Sequence, residues 1–447
     1  MNQKLNNQIL EGNIATAAIL FALPIALSSV LQQLFNAADQ AVVGRFAGSL
    51  ALAAVGANTP VVSLLVNVFS AVSIGSNALI ARKIGENKRE TINRIVHTSI
   101  TFAGIAGICL MCIGMLVAGP LLTLIGTPEN VLDMAVVYLR IYALGFPFSL
   151  LFNFGAAILR SVGDTRRPMI ALSLAGVLNV ILNLVFVIGL GMGVSGVACA
   201  TSISNLASAT TVLIFLRKQE GELHFDPRKL GIDSDCLRQV LQIGAPAGLQ
   251  SAVFSVANVC IQSGINSLGS DAIAGSVAAN NFDYFSYFIC SAFSQTATTF
   301  CGQNYGARQM DRCKKVLRTV MLESMCFTFA FDMICILNRH FFISFFTTDP
   351  AVAEYAYQRI LLVVGPHCMI CLYEVLGAAI RSMGESLAPA LLTILGCVAF
   401  RVAWLLTVFR LFGSFTSLMI VYPASWVVTA ALMWGYYLRK RNRIYAL

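Results

Sequence analysis

The chain has 447 residues, of which 57% are hydrophobic and 11% are charged, and its formal net charge is +9. A soluble domain carries about a quarter charged residues, so this composition excludes a water-soluble protein of this length. The lipid bilayer must therefore surround most of the chain.

Long apolar runs follow one another along the whole sequence. A helix needs about 20 mostly apolar residues to cross a bilayer, and β-barrel strands would be half as long and alternating. The predicted fold is therefore an all-α polytopic membrane protein with about twelve transmembrane helices. The predicted spans are Ile14–Ala38, Leu50–Ile80, Ile95–Ala118, Val131–Leu159, Met169–Ile188, Val194–Leu216, Val240–Ser267, Ala272–Phe300, Val316–Leu337, Ala353–Ile380, Ala388–Phe409 and Phe415–Leu438.

The basic residues lie mostly between alternate spans. If the N-terminus is cytoplasmic, 24 of the 30 Lys and Arg residues lie on the cytoplasmic side. Such a bias orients a membrane protein, so the positive charge needs no nucleic-acid partner. We expect a multi-pass protein of the bacterial inner membrane with both termini in the cytoplasm.

The second half of the sequence repeats the first. Six spans per half is an even number, so both halves cross the membrane in the same direction, as a parallel repeat. We predict an N-lobe (1–216, helices 1–6), a cytoplasmic linker (217–238) and a C-lobe (239–447, helices 7–12). The matching segments are Leu23-Pro24-Ile25 with Ala245-Pro246-Ala247, Gly85 with Gly306, and Arg160-Ser161-Val162-Gly163-Asp164 with Arg381-Ser382-Met383-Gly384-Glu385.

Two similar bundles joined by a linker are typical of transporters that work by alternating access. The sequence has no Walker loop, no HExxH motif and no GxSxG turn, so we expect no enzyme activity, no cofactor and no direct use of ATP. A receptor or membrane enzyme would show a clustered His/Asp/Ser site or a soluble domain. An ion gradient remains as the energy source.

The repeated segments resemble the multidrug and toxic compound extrusion (MATE) family. The resemblance implies a V-shaped pair of six-helix lobes that exports small organic, often cationic, compounds against proton or sodium entry, and we expect a monomer. The residues that carry it are Pro24, Phe35-Asn36-Ala37-Ala38-Asp39, Val43-Gly44-Arg45, Arg160–Asp164, Asn179, Asn183, Gly196–Thr201, Ala297–Phe300 and Gly302–Ala307.

Asp39 is the first candidate functional residue. Ionisable residues at membrane depth are costly and are functional candidates, and Gln32 and Asn36 share roughly one helical face with Asp39. A carboxyl group that faces a cavity can take up a proton and release it on the other side. The position of Asp39 in the second half is Ile261, so the repeat does not need this acid for packing. The alternative is a carboxylate at the outer helix end, paired with Arg45.

The resemblance implies an N-lobe ion site that adds Asn179, Asn183 and Thr201 to Asp39. Many relatives carry a carboxylate where this chain has Asn183. A sodium site prefers several oxygen ligands and negative charge, so protons are favoured, and sodium remains possible at Asp39. The alternative role for Asn179 and Asn183 is hydrogen bonding between helices.

The second half has its own embedded charges. Glu374 lies deep in span 10 and Arg401 lies in span 11, so an ion pair between them is expected, either structural or functional. Asp283 in span 8 is expected to line the cavity. The predicted substrate cavity therefore contains Gln32, Asn36, Asp283, Glu374 and Arg401.

The alternative function is that of a flippase. A flippase for lipid-linked oligosaccharides has a related two-lobe fold, but it should show a basic central cavity and often additional spans. The few embedded bases here favour the exporter.

Overall fold

The fold was analysed in a computed structural model, which describes residues 9–445. Its long elements are all helices, and we number them in chain order. They are α1 (Ile14–Ala47), α2 (Ser49–Gly85), α3 (Arg89–Leu124), α4 (Glu129–Ala143), α5 (Phe146–Ser161), α6 (Arg166–Gly189), α7 (Gly193–Arg217), α8 (Ser234–Asn266), α9 (Ser270–Gly306), α10 (Met310–Leu337), α11 (Pro350–Ser382), α12 (Leu387–Phe412) and α13 (Phe415–Ile444). A short helix, Arg339–Ser344, precedes α11.

The helices agree with the all-α prediction, and each predicted span except 131–159 falls on a single helix. Ten helices in the described part of the chain are long and apolar enough to cross a membrane. The predicted span 131–159 is divided into α4 and α5, which meet at a bend of 46° with Pro147 in the first turn of α5. Helix α9 has 37 residues but is too polar to count among the ten, because Asn280, Asn281 and Asp283 lie within it.

The chain divides into two compact units. One contains residues 1–26 and 249–447, and the other contains residues 27–248. Both boundaries fall inside helices, α1 and α8, and not at the linker where the repeat pattern placed the division. The physical reason at the N-terminus is packing: Phe21 and Ile25 belong to the core of the first unit, where the Phe21 and Phe300 rings meet edge to face at 5.4 Å.

Two glycines bring α2 and α8 into close approach within the unit 27–248. A Cβ atom on Gly75 would lie 2.3 Å from the Val240 carbonyl oxygen, and a Cβ on Gly244 would lie 2.3 Å from the Val72 carbonyl oxygen. Small residues are the usual means of bringing helix backbones together in membranes. The start of α8 is therefore fixed to α2 by backbone contact that no larger residue allows.

The segment between α7 and α8 is shorter than the expected linker, 217–238, because α8 begins at Ser234. The linker packs along α3: the Asn93 side-chain amide donates to the carbonyls of Glu222 (3.2 Å) and His224 (3.1 Å). The linker contains two short 3₁₀ turns, Gly221–Leu223 and Pro227–Lys229, and these bonds hold it against α3.

The linker ends in a second contact with α3. Arg94 forms an ion pair with Asp233 at 3.0 Å. The Asp233 carboxylate also accepts a hydrogen bond from the Cys236 backbone N–H at 2.9 Å, in the first turn of α8. This backbone hydrogen bond is the main cause that holds the pKa of Asp233 below its usual value of 3.8, and Arg94 adds to it.

Gly75→Ala should destabilise the protein by about 1–3 kcal/mol, because the added methyl group overlaps backbone atoms that have no room to move. Thermal unfolding in detergent measures this effect. Gly104→Ala in α3 is the matched control, since nothing lies within 4 Å of its Cβ position. Equal unfolding temperatures for the two variants would contradict the close approach of α2 and α8.

Asp233→Asn should loosen the linker, which hydrogen exchange of residues 218–233 would detect as faster exchange. The pKa of Asp233 is lowered on folding. The contribution of its carboxylate to the stability of the fold is therefore complete at a pH above the ordinary pKa, and it is lost as the pH falls through the lowered pKa. The wild-type linker should therefore stay protected throughout the neutral range. Asp235→Asn serves as the control, since the Asp235 side chain is exposed. Unchanged exchange in Asp233→Asn would refute the role of this contact.

Candidate functional site

Four residues predicted for the N-lobe site form one hydrogen-bonded cluster in the unit 27–248. The Asn183 side-chain amide donates to Asp39 Oδ1 at 2.5 Å and to Asn179 Oδ1 at 3.2 Å. The Asn179 amide donates to Thr201 Oγ1 at 3.4 Å. The cluster therefore joins α1, α6 and α7 at one place.

The hydrogen bonds of the cluster start at Asn183, whose amide donates to Asp39 on one side and to Asn179 on the other. Thr201 gives its hydroxyl proton to the Val197 carbonyl at 3.0 Å, so it accepts from Asn179. Asn179 accepts from Asn183, and Asp39 accepts from the same Asn183 amide. Asn183 Oδ1 is buried without a hydrogen-bond partner in residues 9–445. Asp39 is thus held by a neutral amide.

The alternative partner of Asp39 was Arg45, and that prediction is wrong. Within the described part of the chain no ion pair involves Asp39, which is half-buried and bonded to Asn183. Among the described residues, therefore, no ion pair offsets the burial of a charged carboxyl group at this position.

Two π-helical turns follow the cluster directly. Val43–Ala47 comes four residues after Asp39, and Leu184–Gly189 begins immediately after Asn183. The two turns contact each other. Single π-helical turns in α-helices are frequent at functional sites, and here they lie where α1 and α6 present their polar residues to each other.

A glycine sets the distance between α1 and α6. A Cβ atom on Gly176 would lie 1.8 Å from Cε2 of the Phe35 ring, so the ring lies directly on the backbone of α6. Phe35 comes one helical turn before Asp39, and Gly176 comes three residues before Asn179. The contact therefore fixes the spacing of the two helices one turn away from the polar cluster.

The sequence reasoning did not identify two tyrosines beside the cluster. The rings of Tyr138 and Tyr142 in α4 stack with centroids 5.8 Å apart, and both are close enough for the Asp39 charge to act on them. Nothing in their spacing distinguishes them from packing residues. Gln32 and Asn36, which were predicted to share the face of Asp39, have exposed side chains.

In the unit 1–26 and 249–447, the predicted ion pair between Glu374 and Arg401 is not formed. Arg401 is 1% exposed; its Nε donates to Ser425 Oγ at 3.0 Å and its Nη1 donates to Asn258 Oδ1 at 3.3 Å. Its guanidinium also lies 4.7 Å from the centre of the Tyr422 ring. A buried cation is stabilised here by neutral oxygens and an aromatic face.

The acids of this unit have other partners. Asp283 forms an ion pair with Arg359 at 2.7 Å, and both side chains are largely buried. Glu374 is half-buried, and the cation that acts on it electrostatically is Arg381. The position of Glu374 and Arg401 along their helices follows from the order of residues, but packing decides how each helix is rotated about its axis.

Comparison with known proteins places these features in a family. The MatE family profile matches residues 24–185 and 246–423, one segment in each repeat. The chain is 28% identical over 432 residues to the probable multidrug resistance protein YoeA of Bacillus subtilis, covering 94% of this chain and 92% of that protein. It is 27% identical over 387 residues to the probable multidrug resistance protein NorM of Thermotoga maritima, covering 84% and 81%.

Solved structures show the same fold. A crystal structure of a MATE protein in complex with MaL6 superimposes with a TM-score of 0.90 at 22% sequence identity, covering 98% of both chains. The predicted family and the all-α two-lobe fold class are therefore confirmed. The chain belongs to the MATE family of multi-pass membrane transporters.

Proposed function

We propose that the protein is an antiporter that exports small organic, mostly cationic, compounds by alternating access, and that proton entry through Asp39 drives export. The observation that carries the proposal is the Asp39 cluster, in which an intramembrane carboxyl group is hydrogen-bonded by the Asn183 amide and forms no ion pair in residues 9–445. Ionisable groups placed in this way in membrane helices typically mark proton or ion pathways.

The orientation of the amides favours a proton over sodium. Sodium would need several oxygen ligands around Asp39, but Asn183 turns its amide nitrogen toward the carboxylate. Protonation removes the charge of Asp39 without rearranging its partners, because a carboxylic acid still accepts a hydrogen bond. Sodium remains the alternative cation, with Asn183 Oδ1, which is buried without a partner in the described chain, as a further ligand.

The candidate substrate contacts are not equivalent. Asp283 is occupied by Arg359, and Arg401 is enclosed by its own partners. Glu374 forms no ion pair in the described part of its unit, so it is the acid that best suits a cationic compound. In the unit 27–248, Gln32 and Asn36 have exposed amides that can bind polar groups of a substrate.

The lipid-linked oligosaccharide flippase is not favoured. The MatE profile covers both repeats, and the relatives that match nearly the whole chain are named as probable multidrug resistance proteins. We propose transport without catalysis, by a monomer in the bacterial inner membrane. The distribution of Lys and Arg supports cytoplasmic termini.

Asp39→Asn should abolish gradient-driven efflux, because the amide cannot exchange a proton. Dye efflux from proteoliposomes under an imposed proton or sodium gradient measures this. Asp133→Asn is the matched control, since Asp133 is an exposed acid in α4 of the same unit.

The gradients separate the outcomes of this experiment. Efflux driven by a proton gradient and lost only in Asp39→Asn supports the proposal. Efflux driven only by a sodium gradient would show that sodium, and not the proton, is the coupling ion. Efflux retained in Asp39→Asn would show that Asp39 is not the coupling residue. If the wild type exports none of several cationic dyes under either gradient, the proposed export of such compounds is contradicted.

Gly176→Ala should impair efflux although it introduces no polar change. The methyl group would overlap the Phe35 ring, push α1 away from α6 and lengthen the bond between Asp39 and Asn183. Overpacking of this kind costs about 1–3 kcal/mol.

The double variant Gly176→Ala/Phe35→Leu tests whether the effect comes from this contact. The smaller side chain should restore most of the efflux and of the unfolding temperature, as expected for residues in direct contact. Additive losses in the double variant would show that Gly176 acts through something other than Phe35.

A further inference from the structure

A second polar cluster lies in the unit 1–26 and 249–447, and no part of the proposed mechanism uses it. Asp332 of α10, Ser286 of α9 and His367 of α11 are 0%, 0% and 4% exposed. Ser286 Oγ donates to Asp332 Oδ1 at 2.6 Å, and Ser286 Oγ lies 3.0 Å from His367 Nδ1. Three helices therefore bring an acid, a hydroxyl and an imidazole into one buried chain of hydrogen bonds.

The single hydroxyl proton of Ser286 determines the direction of this chain. Because Ser286 donates to Asp332, it must accept from His367, so Nδ1 of the imidazole carries a hydrogen. The other carboxyl oxygen, Asp332 Oδ2, is buried without a hydrogen-bond partner in residues 9–445. The Cys368 backbone N–H also lies beside the carboxyl group.

The charges around Asp332 do not compensate an ionised carboxylate. The titratable and charged groups around the cluster are Asp283, Arg359, Cys335, Cys368, Cys371 and Arg401. The two cations have other partners: Arg359 pairs with Asp283 at 2.7 Å, and Arg401 donates to Ser425. An ionised Asp332 would thus be buried without a counter-ion, which is expensive, and a bound proton removes this cost.

The repeat shows that packing does not require these polar residues. The offset of 221 residues, which relates Gly85 to Gly306 and Arg160 to Arg381, places Leu65, Met111 and Phe146 at the three positions in the first half. Phe146 is part of an apolar core there, and Leu65 packs against that core.

The surrounding helix is also interrupted at this point. His367 begins a short 3₁₀ turn, His367–Ile370, directly after Pro366 in α11. Interrupted helices in transporters often mark ligand-binding or moving segments. The imidazole also meets the Trp426 ring edge to face, with centroids 5.2 Å apart, and this contact places the cluster beside α13.

We propose that Asp332, Ser286 and His367 form a proton-binding site in the unit 1–26 and 249–447, with Asp332 holding the proton. Ser286 orients the carboxyl group, and His367 orients Ser286. This site is separate from the Asp39 cluster and goes beyond the proposed function. Its test measures proton binding directly and does not depend on transport of any compound.

Infrared difference spectroscopy during a pH titration of the full-length protein in detergent tests the proposal. The C=O stretch of a buried protonated carboxyl group should be present at neutral pH, should disappear as the pH is raised, and should be absent from Asp332→Asn. Asp39→Asn should keep this band, which separates it from the coupling site. A wild-type spectrum in Asp332→Asn would overturn the proposal.

Ser286→Ala provides a second readout if Asp332→Asn does not fold. Removing the hydroxyl takes away the hydrogen bond to Oδ1, so the carboxyl band should move to higher frequency. The Trp426 contact gives an independent signal of His367: the pH dependence of tryptophan fluorescence should change in His367→Gln. A Ser286→Ala band at the wild-type frequency would show that the absorbing group is not Asp332.

Discussion

The cost of leaving a polar atom without a partner inside a bilayer governs this protein. Each helix of this protein satisfies its own backbone internally, and every ionisable side chain embedded in the membrane is a candidate for function. Arg401 is a clear case: it forms no ion pair in the described part of the chain and is stabilised by Ser425, Asn258 and the Tyr422 ring. Asp283 and Arg359 satisfy the same requirement by pairing with each other.

The two repeats share a scaffold but place their polar residues differently. The first half has Asp39 where the second has Ile261, and the second half has Asp332 where the first has Met111. Asp39 and Asp332 therefore each lie at a position where the other half has an apolar residue. In each case the apolar residue of the matching half satisfies the packing. The acid in the other half is therefore best explained by the proton or ion binding proposed for the two clusters.

Small residues give the polar clusters their geometry. Gly176 admits the Phe35 ring against the backbone of α6 and so brings Asp39 to Asn183. Gly75 and Gly244 fix the start of α8 to α2. These contacts contribute no charge and no hydrogen bond to a site. A single added methyl group at any of these glycines would nevertheless displace a helix, because closely packed protein interiors have no spare volume.

The sequence by itself determined the fold class, the repeat and the family, because apolar length and repeated motifs are properties of the chain order. It also named the members of the Asp39 cluster, through the resemblance of their segments to the family. It could not determine which side chains meet: it paired Glu374 with Arg401 and did not select Asp332, Ser286 and His367. Depth in the membrane follows from position along a helix, but partners depend on how each helix is rotated and packed, and only the tertiary structure decides that.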